Sequence, residues 1–185
     1  MTNAVELIRR LHEHRTWTNH KLLAVAETIS GEPLRRSLPI GQGSIWKSLL
    51  HLYAAEYVWL EALLGSEIPL VPGDIAGKLP GNQEAAGAIG SLDELKTLWS
   101  KLDERYQSYL REITSADLDQ VIYKISTSSG LGKRQPTRRG DVLLHVCLHA
   151  HYTAAQVVNM LRQVGVASLP DVMLISLARQ QMASS

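Results

Sequence analysis

Apolar positions recur along most of this chain at helical rather than alternating spacing. Val5, Ile8, Leu11, Leu22, Leu23, Val25 and Ile29 predict a first helix from about Asn3 to Thr28, stopped by Ser30-Gly31-Glu32-Pro33. A second helix is predicted from about Ile45 to Leu64, with Ser44 as its N-cap and Gly65 just beyond its end. Leu49, Leu52, Tyr53, Trp59, Leu60 and Leu63 spread bulk over most of its circumference. The stripe through His51 is different: Ser44, Ser48, Ala55, Val58 and Ala62 lie within about 60° of it and are small. Small neighbours leave room beside the imidazole, either for a metal and its ligand or for the close approach of another helix.

Residues 66 to 90 show no period and are rich in Gly, Pro and Ala. A connection this long crosses the end of a bundle or covers a site. Ser91-Leu-Asp-Glu94 is a capping box that opens a third helix, Leu92 to about Ile113, with Leu95, Leu98, Trp99, Leu102, Tyr106, Tyr109 and Leu110 inward. Gln120 to Ser126 then alternates and is β-branched. Ser128 to Gly132 reads as a turn and Lys133 to Arg139 as a polar return, so a small β-hairpin is expected. A fourth long helix follows from Gly140-Asp141 to Gly165, with Asp141 at its N-cap. After Pro170, Asp171 caps a short last helix, Val172 to about Met182. Four long amphipathic helices with one long connection predict an all-α four-helix bundle, forming a single domain over residues 1 to 185.

The fourth helix carries three of the seven histidines. His145 and His149 are four apart and share a face. Tyr152, Thr153, Gln156 and Met160 also fall within about 60° of His149, whereas His151 points the opposite way. An imidazole on the inner face of a helix serves a metal, a proton relay or a hydrogen bond to a neighbour. In a bundle, metal ligands come from facing helices, and His51 can face His149. Cys147 lies off that face. Glu56 is about 140° from His51, which suits a salt bridge or support of the fold. His12, His14 and His20 are expected on solvated surface. Leu143, Leu144, Cys147, Val158 and Leu161 make the fourth helix apolar nearly all round, so burial on all sides is expected, in part against a second subunit.

Composition narrows the function classes. Nineteen basic and eighteen acidic residues leave no excess for nucleic acid or an anionic membrane. The single Cys147 excludes an internal disulfide and fits a reducing compartment. No apolar run is long enough to span a bilayer, and the first ten residues lack a signal-peptide core. A cytoplasmic protein is expected.

The motifs also carry a resemblance. Gly43-Ser-Ile-Trp-Lys-Ser-Leu-Leu-His51-Leu-Tyr-Ala-Ala-Glu56-Tyr-Val-Trp59-Leu60 resembles the second helix of the DinB family, within the DinB/YfiT-like metalloenzyme superfamily. His145-Val-Cys-Leu-His149-Ala-His-Tyr152-Thr153-Ala-Ala-Gln156 and its continuation to Gly165 resemble the fourth, and Trp17-Thr-Asn19-His20-Lys-Leu-Leu23 the first. The resemblance spans residues 4 to 166. It implies an up-down-down-up bundle, often dimeric, with an open three-histidine site for zinc or nickel. It further implies thiol transfer, hydrolysis or isomerisation as reaction types.

The family's helix-four motif is His-x-x-x-His followed by Arg-Gly-Gln. Its first histidine matches His149 and its glutamine Gln156; the second histidine falls on Thr153, and Arg-Gly on Ala154-Ala155. Threonine is a poor ligand for zinc or nickel. His145, one turn before His149, either supplies the missing ligand beside His51 and His149 or hydrogen-bonds a neighbour. Supplying it moves the metal along the axis by roughly 5 Å.

Three functions are therefore set against each other. The first is a metal-dependent transferase or hydrolase acting on a small molecule or thiol, with Tyr152 and Gln156 beside the site. The second is a metal-free binding or stress-response protein on the same scaffold, which Thr153 favours. The third is DNA binding, which the charge balance argues against. A homodimer is the expected assembly.

Overall fold

The computed structural model describes residues 3–29, 31–127 and 130–184. The expected stop at Ser30 and the first two turn residues, Ser128 and Ser129, lie outside them. The fold is mostly helical with one small sheet: α1 Ala4–Glu27, α2 Glu32–Arg35, α3 Ile45–Leu63, α4 Leu92–Glu112, a 3-10 turn Ser115–Asp119, β1 Val121–Ile125, β2 Arg134–Arg138, α5 Arg139–Gln163 and α6 Leu174–Ala183.

Local chemistry sets most of the boundaries. Asn3 caps α1 with a full capping box: its side chain accepts from Glu6 N, and its own N donates to the Glu6 carboxylate. Ser44 accepts from Lys47 N at 3.1 Å and opens α3. Ser91 accepts from Glu94 N at 3.1 Å, while the Glu94 carboxylate reaches back to Gly90 N. The last long helix departs from expectation. It starts at Arg139, so Asp141 sits inside the first turn and pairs with Arg138 Nε at 3.0 Å instead of capping. The hairpin ladder runs straight into the helix, because Arg139 N still donates to Gln120 O at 2.8 Å. The short α2 and the 3-10 turn carry too few residues to leave a period.

The four long helices pack in a ring, α1 against α4 and α5, α3 against α4 and α5. Their inner faces share one core, in which Leu22, Leu49, Leu52, Leu60, Leu95, Trp99, Tyr106, Leu143 and Leu161 are fully buried. The β1–β2 pair is antiparallel, with Tyr123 opposite Pro136. Proline is tolerated there because a two-stranded sheet has only edges. Glu67, just past α3, grips the hairpin: its carboxylate takes both Arg134 Nε at 2.8 Å and Nη2 at 2.7 Å, and its carbonyl accepts from Ile125 N.

A charge cluster sits within this core. Arg15 of α1 is buried between Glu56 of α3 and Asp103 of α4, at 3.2 and 3.1 Å. Glu56 also accepts from Asn19 Nδ2 and Trp99 Nε1, so three helices are joined at one carboxylate. The expected supporting role of Glu56 takes this form. His12 and His14 were expected on the surface and are buried. His12 Nε2 lies 3.1 Å from Leu143 O of α5, and His14 Nε2 lies 2.8 Å from Val172 O before α6. Both are covered by chain that arrives more than a hundred residues later.

Candidate metal and ligand centre

The pair of imidazoles at the centre of the site comes from α3 and α5. His51 Nε2 and His149 Nε2 are 3.2 Å apart, with the rings edge to face. The long connection holds one of them in place: His51 Nδ1 lies 2.8 Å from Pro80 O. A carbonyl only accepts, so the His51 proton is on Nδ1 and the Nε2 lone pair is free to face His149. His149 then donates its Nε2 proton across the gap when no other ligand is present.

The backbone comes this close because residue 81 is glycine. Gly81 has φ +85°, and a Cβ there would stand 2.6 Å from His51 Cα. Asp74, itself buried, fixes the turn by accepting from Gly81 N at 2.7 Å, Gln83 N at 2.9 Å and Gln83 Nε2 at 2.7 Å. Thus the connection does cover the site, and its contribution is a carbonyl, which no side-chain pattern reveals.

A cavity of about 310 Å³ opens beside the pair. The stripe of small residues, Ala55 and Val58, forms one wall with Trp59; Leu79 and Pro80 form another. The hairpin closes it with Lys124, Ser126, Thr127, Gln135 and Thr137. Lys124 was missed in the sequence. Its signal is parity: Ile122 and Lys124 share the inward face of β1, a position where lysine is unusual. Its Nζ lies 5.4 Å from the Trp59 ring centre, and burial lowers its pKa.

His145 lines the same cavity from an exposed position, its ring 5.3 Å from that of Trp59 and 5.9 Å from that of His149. The cavity wall desolvates part of this otherwise exposed side chain, which lowers its pKa. Burial, followed by the charges that His51 and His145 can carry, lowers the pKa of His149 to about 4. His149 is therefore neutral near pH 7, as a metal ligand or an acceptor must be.

Other expected neighbours fall elsewhere. Thr153 is buried one turn beyond His149, and Gln156 packs beside Gly41 and Ser48. Tyr152 is 67% exposed and does not line the cavity. Nor is α5 buried on all sides: Leu144, Leu148 and Tyr152 form an exposed row spaced four residues apart. His151 is exposed, and Cys147 is buried with its thiol pushed up to about 12, chiefly by burial.

The donor set meets part of a metal's demand. Two nitrogens each about 2.0–2.1 Å from a tetrahedral zinc stand about 3.3 Å apart, close to the separation of His51 and His149. Pro80 O is the kind of outer partner that orients a ligating imidazole. Yet no three His, Cys, Asp or Glu side chains converge as a metal-holding group among the described residues.

A family model described as the DinB superfamily matches residues 14–157. The chain belongs to the DinB superfamily. Protein DinB of Bacillus subtilis (strain 168) is 27% identical over 161 residues, which cover 87% of this chain and 88% of that protein. A solved structure of a conserved protein from Enterococcus faecalis is 17% identical, covering 89% of this chain and 96% of that one, with a TM-score of 0.49. No helix among the described residues is long and apolar enough to cross a membrane.

Proposed function

We propose that this DinB-superfamily protein is a metal-dependent enzyme of the thiol transferase or hydrolase type, on an up-down-down-up four-helix bundle. In this reading His51 and His149 bind a divalent metal, zinc or nickel, weakly, and His145 is the additional ligand. The observation that carries the reading is the 3.2 Å approach of two Nε2 atoms, with His51 held by Pro80 O in the tautomer a ligand needs. His145 reaches the pair only by leaving its place against Trp59. The third ligand therefore has a conformational cost, and affinity is low. A metal held there supplies Lewis acidity, lowering the pKa of a bound water or thiol. The protein's own part is to seat a small substrate against Trp59, Val58 and Leu79, and to keep His149 neutral.

A second reading is a metal-free binding or stress-response protein that uses the His51–His149 pair as a hydrogen-bonding floor. Thr153, standing where the family motif has a histidine, favours it. A competitive chelator titration on protein free of any His-tag separates the two. The metal reading expects wild type to bind zinc or nickel at micromolar levels or weaker. Thr153→His should bind at least about tenfold more tightly, since it adds an imidazole at i+4 from His149. Adding His51→Ala should abolish the gain. Undetectable binding by both wild type and Thr153→His would support the metal-free reading. Tight stoichiometric binding that survives His149→Ala would place the metal on other residues.

A further inference from the structure

One side chain of the cavity beside the histidine pair carries a charge that the fold does not match. Lys124 is 8% exposed, faces inward from β1 and lines the cavity together with His51, Trp59, His145 and His149. Its Nζ donates to Ile125 O at 3.1 Å and lies 5.4 Å from the Trp59 ring centre. A carbonyl and a ring face steady an ammonium without neutralising it. Among the described residues no carboxylate pairs with Lys124, and no Asp or Glu lines the cavity. Burial lowers the Lys124 pKa with no neighbouring charge to oppose it. Arg15, the other buried cation among the described residues, is treated differently: it stands between Glu56 and Asp103.

Buried charges are normally paired, so an unmatched ammonium at a cavity wall favours an anion in the cavity. An ammonium has three donors, and one goes to Ile125 O. Neutral polar groups stand on the same side. Gln135 is opposite Lys124 in the ladder and Thr137 is opposite Ile122, and directly opposed residues share a face. Both line the cavity. The remaining wall, Ala55, Val58, Trp59 and Leu79, is apolar. One positive, hydrogen-bonding end and one apolar side therefore share a space of about 310 Å³, at the small end of ligand sites.

Charge limits that anion to one negative unit in the metal-free protein. His149, at about 4, and His145, also lowered, bring no positive charge near neutral pH, in each case chiefly through burial. His51 keeps the lone pair of Nε2 toward His149. Lys124 is then the one full charge at the wall. A carboxylate matches it. A phosphate monoester carries between one and two negative charges and would be left partly uncompensated. No residue from the first turn of a helix lines the cavity to take up the excess.

We propose that Lys124 is the specificity-determining residue of this cavity and that the substrate is a small monocarboxylate with an apolar body. The carboxylate accepts from Lys124 Nζ, with Gln135 and Thr137 beside it, and the body lies along Trp59, Val58 and Leu79. The far end of the molecule is thereby held in the same cavity as His51 and His149. What becomes of that end rests on the metal-dependent reading; the carboxylate subsite itself needs no metal.

The test uses 4-methylpentanoate, its isosteric amide 4-methylpentanamide and 3-methylbutyl phosphate on the full chain stripped of metal with a chelator, followed by NMR. The acid should bind saturably and shift the Lys124 side chain and the hairpin amides 121–127 and 134–138. The amide and the phosphate should each bind at least about tenfold more weakly. Lys124→Met keeps the stem and removes the charge, and should bring the acid down to the level of the amide. If that variant fails to fold, the ranking of the three ligands on wild type and the site of their shifts decide alone. No saturable binding of the acid at millimolar levels, an amide that binds as well, a phosphate that binds more tightly, or a preference for the acid that survives Lys124→Met would each overturn the proposal. So would acid binding that appears only with added zinc, which would put the carboxylate on the metal. Stripped protein that prefers the acid and takes up no zinc would instead sink the metal-dependent reading and leave the carboxylate subsite standing.

Discussion

At the scale of single residues, burial decides which histidines matter. Those of His149 and His51 follow from the sequence because each lies on a helix face with a distinct pattern. The fates of His12 and His14 do not, because α1 looks the same whether α5 and α6 cover it or not. Both rings are sealed by backbone carbonyls from remote chain, and their neutral state has a measurable consequence. His149 is held to about 4, and His12, His14 and His145 are also lowered, in each case chiefly by burial. A lowered histidine binds its proton in the unfolded chain first, at about pH 6.5. Between there and the folded value the unfolded state holds more protons, so stability falls as pH falls. His20 works the other way: its bond to Asp103 raises its pKa, so its contribution is complete at low pH and is lost as pH rises through the raised value. With four lowered and one raised, the folding free energy should drop between about pH 6.5 and 4.5. Urea denaturation across that range measures it. His149→Asn should shallow the slope, and a stability that is flat or rises toward pH 4.5 would contradict the assignment of buried neutral rings.

At the scale of elements, the long helices and the two hairpin strands were legible, and the long connection and the short turns of helix were not. Periodicity and end signals located α1, α3, α4 and α5 to within a few residues, since a buried stripe must repeat with the helix, and the turn at Pro170 with Asp171 located α6. The long connection has no repeat, and its work is done by backbone: Pro80 O on His51, and Gly81 against α3. Asp74 is the residue that holds this backbone in place. Asp74→Asn keeps the size but turns one acceptor oxygen into a donor facing an N–H. It should cost about 1–3 kcal/mol for the backbone donor left unpaired. It should also free residues 72–83, which hydrogen exchange reads as lost protection at Gly81 and Gln83 and at no amide of α4. Unchanged protection at those two amides would show that the connection is held by something other than Asp74. The hairpin's part in the cavity was equally hidden, except for Lys124, whose inward parity in β1 was readable.

At the scale of the whole molecule, one surface feature bears on assembly. Leu144, Leu148 and Tyr152 leave an apolar row on α5 open to solvent. Its exposure replaces the expectation of a helix covered on every side, and it is where a second subunit would pack. We propose a homodimer through this face. Sedimentation at tens of micromolar, roughly the range where weak dimers appear, should then give a dimer for wild type and a monomer for Leu148→Asp. A wild-type monomer, or a dimer indifferent to Leu148→Asp, would count against it.

In the proposed site His51 and His149 form the working centre, His51 presenting its Nε2 lone pair. Long-range proton–nitrogen NMR of the imidazole rings, before and after addition of zinc, reads this atom by atom. Without metal, His51 should be protonated at Nδ1. Zinc should shift Nε2 of His51 and His149, joined by His145, with His12, His14 and His20 unmoved. His51 protonated at Nε2 in the free protein, or zinc shifts at the other histidines with His51 and His149 unmoved, would contradict it.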